Sequence, residues 1–431
     1  MREDIKKRLE MVRNSEVPEG YVETMVGIIP SAWSSAPLSE VSTILSEQAG
    51  DREFETLSIS AGIGFVNQAE KFGKELSGKQ YTKYTVLRRG DFAYNKGNSK
   101  RYPQGCTYML RERDEAAVPN VFECFRIIQG HPEYYEQLFI NGFMNKQLTR
   151  KINHGVRDDG LLNLTDDDFY STIFPVPPLA EQQKIAVILA TCDRVIELKQ
   201  QLLEEKRRQK QWLMQKLLDP NSGVRLPGYS APWKLCTLGN IMNITSVKRI
   251  HQSDWTDDGV RFLRARDIVA AFNDEEPEDY LFISRDKYDE YSAISGKVSV
   301  GDLLVTGVGS IGVPYLVRDN NPLYFKDGNV IWFQNQGKID GDYFFYTFSG
   351  SAIQNYIRDS AGIGTVGTYT IESGKKTPIW IPSEEEQKAI ANVIKNADQE
   401  VMLCKKELEA WQEKKKSLMQ LLLTGLVRVN A

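Results

Sequence analysis

The order of sequence features between about residues 27 and 218 is repeated between about residues 226 and 423. Each copy begins with proline, then tryptophan and leucine, and one common spacing separates Trp33 from Trp233 and Leu38 from Leu238. A repeat this long indicates a duplicated domain rather than a solenoid, whose repeats span roughly 20–50 residues. Two copies of one unit in a single chain predict pseudo-two-fold symmetry.

Shorter motifs recur in the same order inside the two copies. A Gly–Asp pair precedes apolar residues at 90–92 and again at 301–303. A proline followed by Glu–Gln, at 181–182 and 386–387, opens the last part of each copy. The segment that joins the copies, 222–226, is similar to the end of the chain at 424–429. We therefore interpret the chain as a cyclic arrangement of two copies that is cut at one point.

The composition limits the class of protein. A chain of 431 residues is long enough for two or three domains. Apolar residues make up 41% and charged residues 26%, which is typical of soluble globular proteins. No stretch approaches the roughly 18 apolar residues of a membrane span, and residues 1–7 carry no apolar signal region. The five cysteines lack metal-binding spacing, so we expect reduced thiols and a cytoplasmic protein.

Local patterns predict an α+β fold for both globular parts. Alternating apolar and polar residues favour strands, and longer aromatic-rich runs favour helices. The predicted elements are helices at 2–14, 131–151 and 342–358, and strands at 81–87, 122–128, 298–306 and 330–334.

Each copy ends in a long helix with a heptad pattern. The a and d positions, at alternating steps of four and three, are Ile185, Leu189, Cys192, Ile196, Lys199, Leu203, Lys206, Lys210, Leu213 and Leu217. The equivalent positions in the second copy are Ile390, Ile394, Ala397, Val401, Cys404, Leu408, Trp411, Lys415, Leu418 and Leu422. Either helix alone would expose its apolar stripe, so we expect the two to pack together, with Trp411 facing lysine stems.

These features together resemble the specificity subunits of type I restriction–modification systems. The resemblance covers residues 25–428, and no single motif carries it. Its carriers are Trp33 and Trp233 after prolines, the two Gly–Asp pairs, the Pro-Pro-Leu-Ala-Glu-Gln run at 177–182 with Ile185-Ala186, and Glu386-Gln387 with Ile390-Ala391. The resemblance implies two tandem target-recognition domains of similar α+β fold, each followed by a long helix. In that family the two helices pair antiparallel as a coiled-coil spacer.

The resemblance also implies how the chain divides. The expected parts are an N-terminal helical arm (1–20), a first target-recognition domain (21–176), a first spacer helix (177–219), a second target-recognition domain (220–380), a second spacer helix (381–425) and a C-terminal tail (426–431).

The function implied by the resemblance is DNA recognition without catalysis. Each domain would read one part of a split target in double-stranded DNA. Two copies of a methyltransferase subunit, expected near Glu181-Gln182 and Glu386-Gln387, and nuclease/translocase subunits would join the chain. No cofactor or metal is expected. Two alternatives remain: a non-catalytic scaffold that binds only proteins, and a self-contained DNA-modification enzyme.

The motifs of the enzyme alternative are weak. An adenine methyltransferase needs a glycine-rich cofactor loop and an Asn/Asp-Pro-Pro-aromatic motif. The nearest match, Asn321-Pro322-Leu323-Tyr324, has the wrong third residue. The glycine-rich runs at 307–312 and 362–364 lack the Lys-Ser/Thr of a nucleoside triphosphatase. The histidines, at 131, 154 and 251, have no partners at ligand or triad spacing.

Candidate DNA contacts are chosen by chemistry. Cations bind phosphates, arginine suits guanine, and asparagine or glutamine suits adenine in the major groove. The acidic runs 166–168 and 274–276 are expected to face away from DNA, which would reconcile the net charge of −4 with a basic groove. The candidates are Asn95, Lys96, Asn98, Ser99, Lys100, Arg101, Lys146, Arg150 and Arg157 in the first domain, and Lys248, Arg249, Arg264, Arg266, Thr306, Ser310 and Lys326 in the second.

Overall fold

The computed structural model of the chain describes residues 3–72, 78–97, 102–152, 162–326, 328–361 and 367–430. It contains two compact units. The first consists of Met1–Leu198 with Leu408–Ala431, and the second of Lys199–Glu407. Each unit therefore holds one globular domain and part of both long helices. Within the described residues, no helix has an apolar stretch long enough to cross a bilayer.

The first copy begins with a short helix and a hairpin and ends with the first long helix. A 3-10 helix also covers Gly78–Lys83. The elements are α1 (Glu3–Arg13), β1 (Tyr21–Thr24), β2 (Gly27–Pro30), β3 (Ser34–Pro37), α2 (Leu38–Val41), β4 (Ser42–Ile44), β5 (Leu57–Ser60), β6 (Gly64–Asn67), α3 (Gln68–Phe72), β7 (Thr85–Arg88), β8 (Phe92–Asn95), β9 (Cys106–Met109), β10 (Glu115–Val118), β11 (Glu123–Ile127), α4 (Pro132–Ile140), α5 (Asn145–Lys151), α6 (Asp166–Tyr170), β12 (Ile173–Val176) and α7 (Leu179–Leu217).

The second copy repeats the order from β3 onward, with insertions of its own. A 3-10 helix covers Gln252–Asp254. The elements are β13 (Lys234–Thr237), α8 (Leu238–Ile241), β14 (Asn243–Thr245), β15 (Trp255–Thr256), β16 (Val260–Leu263), α9 (Ala265–Phe272), β17 (Leu281–Ile283), α10 (Arg285–Ser295), β18 (Leu303–Thr306), β19 (Pro314–Leu316), β20 (Leu323–Phe325), β21 (Val330–Gln334), α11 (Gly341–Ser349), α12 (Ser351–Ser360), α13 (Ile371–Lys376), β22 (Pro378–Ile381) and α14 (Glu384–Leu423).

The sheets confirm that the two domains share one fold. The main sheet of the first domain has the strand order β4-β11-β8-β9, and that of the second has the matching order β14-β21-β18-β19. A two-stranded ribbon precedes each long helix, β3 with β12 and β13 with β22. The domains differ in what is added: β5–β6 and β7–β10 pairs in the first, and a four-stranded sheet β15-β17-β16-β20 in the second. Both are α+β, as the sequence predicts.

The recurring Gly–Asp pair is a buried turn in front of the central strand. Gly90 and Gly301 both have φ of +90°, a left-handed conformation that glycine adopts without strain. Asp302 is 3% exposed, and its carboxylate accepts hydrogen bonds from Ser299 N (2.9 Å), Trp332 Nε1 (2.9 Å) and Asn335 N (2.9 Å). The motif is therefore structural, because its carboxylate ties the turn to the neighbouring strand.

In the first domain, Asp91 has the same role with a different partner. Its carboxylate accepts from Arg88 N (2.6 Å) and binds the Arg126 guanidinium of β11 through two hydrogen bonds of 2.6 and 2.9 Å. The backbone bond is also repeated, since Leu110 N donates to Asp91 O as Val317 N donates to Asp302 O.

Two predicted helices are each broken in two. The helix expected at 131–151 is α4 and α5, because Gly142 takes a left-handed φ of +65° and ends α4. The helix expected at 342–358 is α11 and α12, because Gly350 has extended backbone. Aromatic and apolar residues continue across both breaks, so the composition favoured one continuous helix in each copy.

Two predicted strands are shorter than expected. In 81–87 only Thr85 onward is strand, because residues up to Lys83 form a 3-10 helix. The Tyr81 hydroxyl accepts from Phe54 N and donates to Arg52 O, both at 2.7 Å, so this aromatic residue anchors a loop. In 298–306 the strand begins at Leu303, after the Gly–Asp turn. The other predicted elements, at 2–14, 122–128 and 330–334, are confirmed to within two residues.

The two long helices are confirmed and run antiparallel within each unit. In the second unit, Lys199 pairs with Glu407, Lys206 with Glu400 (2.7 Å) and Lys210 with Asp398. In the first unit, Lys415 pairs with Asp193 at 2.5 Å. As position numbers rise along α7, those of the partners in α14 fall.

All heptad positions of both helices are buried or half-buried. The lysines among them pack their stems in the seam and reach carboxylates at its edge, as long cationic side chains do. The ring of Trp411 has the cation of Lys414, from its own helix, 4.2 Å from its centre.

The Glu–Gln pairs are buried structural groups. Gln182 accepts from His131 N (2.8 Å) and donates to Pro177 O (2.9 Å), while Gln387 accepts from Asp340 N (2.9 Å) and donates to Pro382 O (3.0 Å). Each glutamine thus joins the start of a long helix to the start of α4 or α11. These four residues are at most 4% exposed, so they are not available to a docking protein.

Each of the two glutamates, Glu181 and Glu386, forms an ion pair with one arginine. In the second unit, Arg225 Nε and Nη2 donate to the two oxygens of Glu386, both at 2.7 Å. In the first unit, Arg428 makes the same fork with Glu181, whose carboxylate also accepts from Trp33 Nε1 at 3.0 Å. The C-terminal tail therefore supplies the arginine that pairs with this glutamate in the first unit, as the joining segment supplies it in the second. This agrees with the interpretation of a cyclic arrangement.

We expect Arg428→Ala to reduce the free energy of unfolding by about 2 kcal/mol, the scale of a lost hydrogen bond to a charged group. Among the residues that the structure describes, the variant leaves Glu181, which is 4% exposed, with Trp33 as its side-chain hydrogen-bond partner. Urea unfolding measures the change, and Arg225→Ala is the matched variant in the second unit. A loss below about 0.5 kcal/mol, the usual range of surface substitutions, would mean that the tail does not close the first unit.

Candidate nucleic-acid interface

The first candidate loop connects β8 to β9. Asn95, the last residue of β8, folds its side chain back so that Oδ1 accepts from Gly97 N at 2.8 Å. Four predicted members of this loop, Asn98, Ser99, Lys100 and Arg101, lie outside the described residues. What the structure describes is the base of the loop, from Asn95 to Gly97 on one side and from Tyr102 on the other.

Lys96 is held by two carboxylates at the base of this loop. Its Nζ lies 2.8 Å from Glu123 Oε1 of β11 and 2.7 Å from Asp166 Oδ1 of α6. Burial opposes the ammonium charge, but the bonds to Asp166 and Glu123 outweigh it and raise the pKa of Lys96. Burial raises the pKa of Glu123, whereas the hydrogen bond from Lys96 lowers the pKa of Asp166. Asp166, the first residue of the acidic run 166–168, therefore lies against the base of the loop.

The fold brings the first two candidate clusters together. Leu162 N donates to Lys96 O at 2.9 Å, which joins the loop base to the segment after α5. Gln104 Nε2 donates to Thr149 Oγ1 at 3.0 Å, which joins the other side of the loop to α5 itself. Lys146 and Arg150 of α5 are exposed, and neither has an ion-pair partner among the described residues. Arg157 lies outside those residues.

The second domain repeats this loop-and-helix arrangement. The loop from Gly307 to Val313 connects β18 to β19, as the first loop connects β8 to β9. Tyr369 N donates to Gly307 O at 2.9 Å, in the way that Leu162 N donates to Lys96 O. Gln354 Nε2 of α12 donates to Gly312 O at 2.9 Å, so α12 supports this loop as α5 supports the first.

Thr306 and Ser310 have different positions in this second loop. Thr306 is fully buried, and its hydroxyl donates to Ser310 O and accepts from Val313 N at 2.9 Å. It therefore fixes the loop from inside. Ser310 and Gly309 are exposed at the crest, and Gly309 has φ of +71°. Gly307 N also donates to Asn329 O at 2.8 Å, which places Asn329 beside the loop.

The remaining second-domain cations surround the other sheet. Lys248 is exposed, with its Nζ 4.0 Å from the centre of the Tyr291 ring, a cation–π contact. Arg249 is also exposed, and Lys326 is half-buried.

Arg264 and Arg266 are bound to carboxylates. Arg264 binds Asp267 (2.8 Å) and Asp279 (2.9 Å), and Arg266 also pairs with Asp279. The hydrogen bonds with Asp267 raise the pKa of Arg264 further. Arg264 is mostly buried at the N-cap of α9, so its present role is to hold that helix.

The duplicated fold adds two candidates that the sequence reasoning missed. Arg358 and Asn355 are exposed on α12, the counterpart of the helix that carries Lys146 and Arg150. They are hydrogen-bonded to each other. The sequence did contain a signal for them. Aligning the two copies on their Gly–Asp pairs matches α12 to α5, so residues of α12 could have been chosen as candidates.

Comparisons with known proteins agree with this organisation. Residues 123–206 match the family model for the type I restriction modification DNA specificity domain. The chain is 28% identical over 296 residues to the type I restriction enzyme MjaVIII specificity subunit of Methanocaldococcus jannaschii, covering 63% of this chain and 66% of that protein. It is 24% identical over 453 residues to the putative MjaX specificity subunit of the same organism, covering 96% and 97%.

Solved structures share the fold over almost the whole chain. A structure described as underlying complex assembly and conformational transition of the type I R-M system has a TM-score of 0.56 at 16% identity, covering 93% of this chain and 99% of that one. The type I restriction–modification S subunit of M. genitalium has a TM-score of 0.55 at 14% identity, covering 93% and 97%. At these identities the likeness shows the fold alone. Residues 123–206 thus carry a type I restriction modification DNA specificity domain, and the chain as a whole is similar to specificity subunits of type I restriction–modification systems.

Proposed function

We propose that this chain reads a split target in double-stranded DNA, with each globular domain contacting one part through its loop and supporting helix. The proposal rests on one observation. Both domains have the same loop and supporting helix on a sheet with the same strand order, but the side chains differ between the two copies. The loop base is Lys96 in the first domain and Gly307 in the second. One scaffold with two different surfaces suits the reading of two different sequences, because base contacts rather than position give specificity.

The exposed side chains fit this task. Lys146 and Arg150 lie on one helix and have no acidic partner among the described residues, so they can bind phosphates. Asn355 and Arg358 of α12 offer an amide and a guanidinium, which suit adenine and guanine.

We further propose that the chain performs no chemistry itself. The glycine-rich run 307–312 connects two antiparallel strands, β18 and β19, rather than a strand and a helix. A phosphate-binding loop ends at a helix N-terminus, which this hairpin lacks. The run 321–324 is the nearest match to a methyltransferase motif. It overlaps the start of β20, a strand that pairs parallel with β16 in the four-stranded sheet added to the second domain. These placements favour a recognition subunit over a self-contained modification enzyme.

Methyltransferase and nuclease/translocase subunits are the proposed protein partners. In the second unit, a groove of about 1090 Å³ lies between the long helices and the globular domain. Phe272 and Met402 line it and are 44% and 39% exposed. Exposed apolar residues in a groove mark an interaction surface more often than isolated ones do. We propose this groove as a methyltransferase docking surface, in place of the buried Glu–Gln pairs.

We expect two methyltransferase subunits per chain, because the junction between domain and long helix occurs twice. Native mass spectrometry of the co-expressed proteins measures the ratio. A complex that stays at one-to-one with saturating methyltransferase would rule out two equivalent docking sites.

The DNA-binding proposal is tested by charge removal on α5. We expect Lys146→Ala with Arg150→Ala to weaken DNA binding and to lower the slope of log K against log salt by roughly 0.9 for each lost phosphate contact. Fluorescence anisotropy at several salt concentrations measures both quantities for the assembled complex. The duplex carries the target sequence that methylome sequencing identifies. Lys6→Ala with Lys7→Ala on α1 removes the same charge and is the control.

The outcomes separate the candidate functions. An unchanged slope in the α5 variant, with assembly intact, would remove this helix from the interface. If the wild-type complex bound no DNA sequence in preference to others, the protein-only scaffold would be favoured.

A further inference from the structure

Lys96 belongs to a charged cluster that is mostly enclosed by the fold. Its side chain is 13% exposed, that of Glu123 is 19% exposed and that of Asp166 is 61% exposed. The ammonium is hydrogen-bonded to both carboxylates at normal distances. A lysine that left this cluster to contact a phosphate would leave two carboxylates, Asp166 and the half-buried Glu123, close together without a cation. Two like charges at such a short distance disfavour each other, so the displacement is unfavourable.

Three elements meet at this cluster. Lys96 follows β8, and Glu123 of β11 lies opposite Tyr94 of β8 in the strand register. Asp166 is the first residue of α6, whose Phe169 stacks on Tyr94 with ring centres 4.3 Å apart. The cluster thus joins the base of the candidate loop to the neighbouring strand and to the helix packed over it.

The second domain holds the equivalent loop base without charges. Gly307 takes the place of Lys96, because its carbonyl accepts the equivalent backbone hydrogen bond. Ile331 lies opposite Val305 in the strand register, as Glu123 lies opposite Tyr94. A Cβ at Gly307 would lie 3.6 Å from Ile331 Cδ1 and 2.8 Å from Tyr369 O, so the base is packed with no room for a side chain.

We propose that Lys96, Glu123 and Asp166 form an ionic brace that positions the base of the β8–β9 loop for DNA recognition by the first domain. In this role Lys96 is a positioning residue and not a phosphate contact. The second domain achieves the same positioning through close apolar packing around Gly307. The inference rests on the proposed function, because it assigns a role within the DNA-reading surface.

The brace and the phosphate contact predict opposite effects of removing the acids. If Lys96 contacted a phosphate, Glu123→Gln and Asp166→Asn would remove negative charge near DNA and would bind DNA as tightly as wild type, or more tightly. If the cluster is a brace, both variants loosen the loop. They then weaken binding by about tenfold, the equivalent of one lost charge-assisted hydrogen bond. Binding should then discriminate less well among sequences of one half of the target only, since Gly307, the counterpart of Lys96 in the second domain, has no side chain that could form such a cluster.

The test compares Glu123→Gln and Asp166→Asn in the assembled complex. Anisotropy is measured on the full target and on duplexes altered in one half or the other. Asp167→Asn is the control, because Asp167 lies on the same helix and has no ion-pair partner among the described residues. Hydrogen exchange of the Leu162 amide, which binds Lys96 O, reports loosening of the loop base independently of DNA.

For both acid variants we expect weaker DNA binding, reduced sequence discrimination in one half of the target only, and faster hydrogen exchange of the Leu162 amide. The Asp167→Asn control should match wild type in all three. Binding that equals or exceeds wild type in both acid variants would overturn the brace. So would equal losses in both halves. If wild-type protein showed no sequence preference, the proposed function itself would fail, which is a separate outcome. Thermal unfolding of each variant identifies any that fails to fold.

Discussion

A hybrid that takes residues 27–176 from a relative with another target is expected to recognise one new half-target and one old one. The reason is that every strand of the first globular domain pairs with another strand of that domain. The exchanged segment therefore carries its loop, its supporting helix and all its strand partners except β1, which lies before residue 27 and pairs with β2. Methylome sequencing of cells that carry the hybrid complex measures the new target.

The reciprocal exchange is the matched control for this prediction. Replacing residues 226–380 should change the other half-target, because the second domain is built in the same way from its own strands. A hybrid in which both halves change together would show that the domains do not read independently.

We expect Asp302→Ala to reduce the free energy of unfolding by about 4 kcal/mol, since three donors, two of them buried, would lose their acceptor. Those donors are the amides of Ser299 and Asn335 and the indole of Trp332. Trp332 is 1% exposed, so water cannot replace the lost carboxylate without rearrangement. Urea unfolding of the whole chain measures the effect.

Two further variants identify the cause. Trp332→Phe keeps the carboxylate and removes one donor, so we expect a smaller loss of about 1–2 kcal/mol. Asp319→Ala removes an exposed aspartate of the same domain and should stay within about 0.5 kcal/mol of wild type. A loss in Asp302→Ala no larger than in Asp319→Ala would contradict the structural role of the Gly–Asp turn.

The duplicated fold and the long helices could be predicted because their signals are periodic or repeated. The heptad positions of both helices are all buried or half-buried, as expected from spacing alone. The Glu–Gln pairs marked the helix starts, but their role was not predictable. Each glutamine bonds a backbone amide about 50 residues earlier, at His131 or Asp340, and sequence spacing gives no sign of such a contact.

The breaks at Gly142 and Gly350 were missed for a local reason. Aromatic residues continue across them, so composition favours one long helix in each copy. A glycine within a helical pattern costs about 1 kcal/mol relative to alanine, which is too little to decide between a weak point and an end. The tertiary fold decides, since α4 and α5 contribute separately to the core of the first unit through Leu138 and Leu148.

The candidate interface was predictable in part. The sequence indicated the loop after β8 and the cations of α5, and the fold places them side by side through Gln104 and Thr149. It did not indicate that Lys96, Arg264 and Arg266 have carboxylate partners, because three of the four partners, Glu123, Asp166 and Asp279, are distant in sequence or on another element. Glu123 and Asp166 reach Lys96 only after β11 and α6 have packed against β8.

The measurement that tests the central claim most directly is crosslinking from one exposed position in each domain. A photoreactive amino acid at Lys146 in the first domain, or at Ser310 in the second, is placed in the assembled complex on its specific target. Sequencing then maps the crosslinked bases. If each domain reads one part of a split target, the Lys146 crosslinks should fall within one half and the Ser310 crosslinks within the other. Crosslinks from both positions to the same half, or equal yields on specific and unrelated DNA, would contradict that claim.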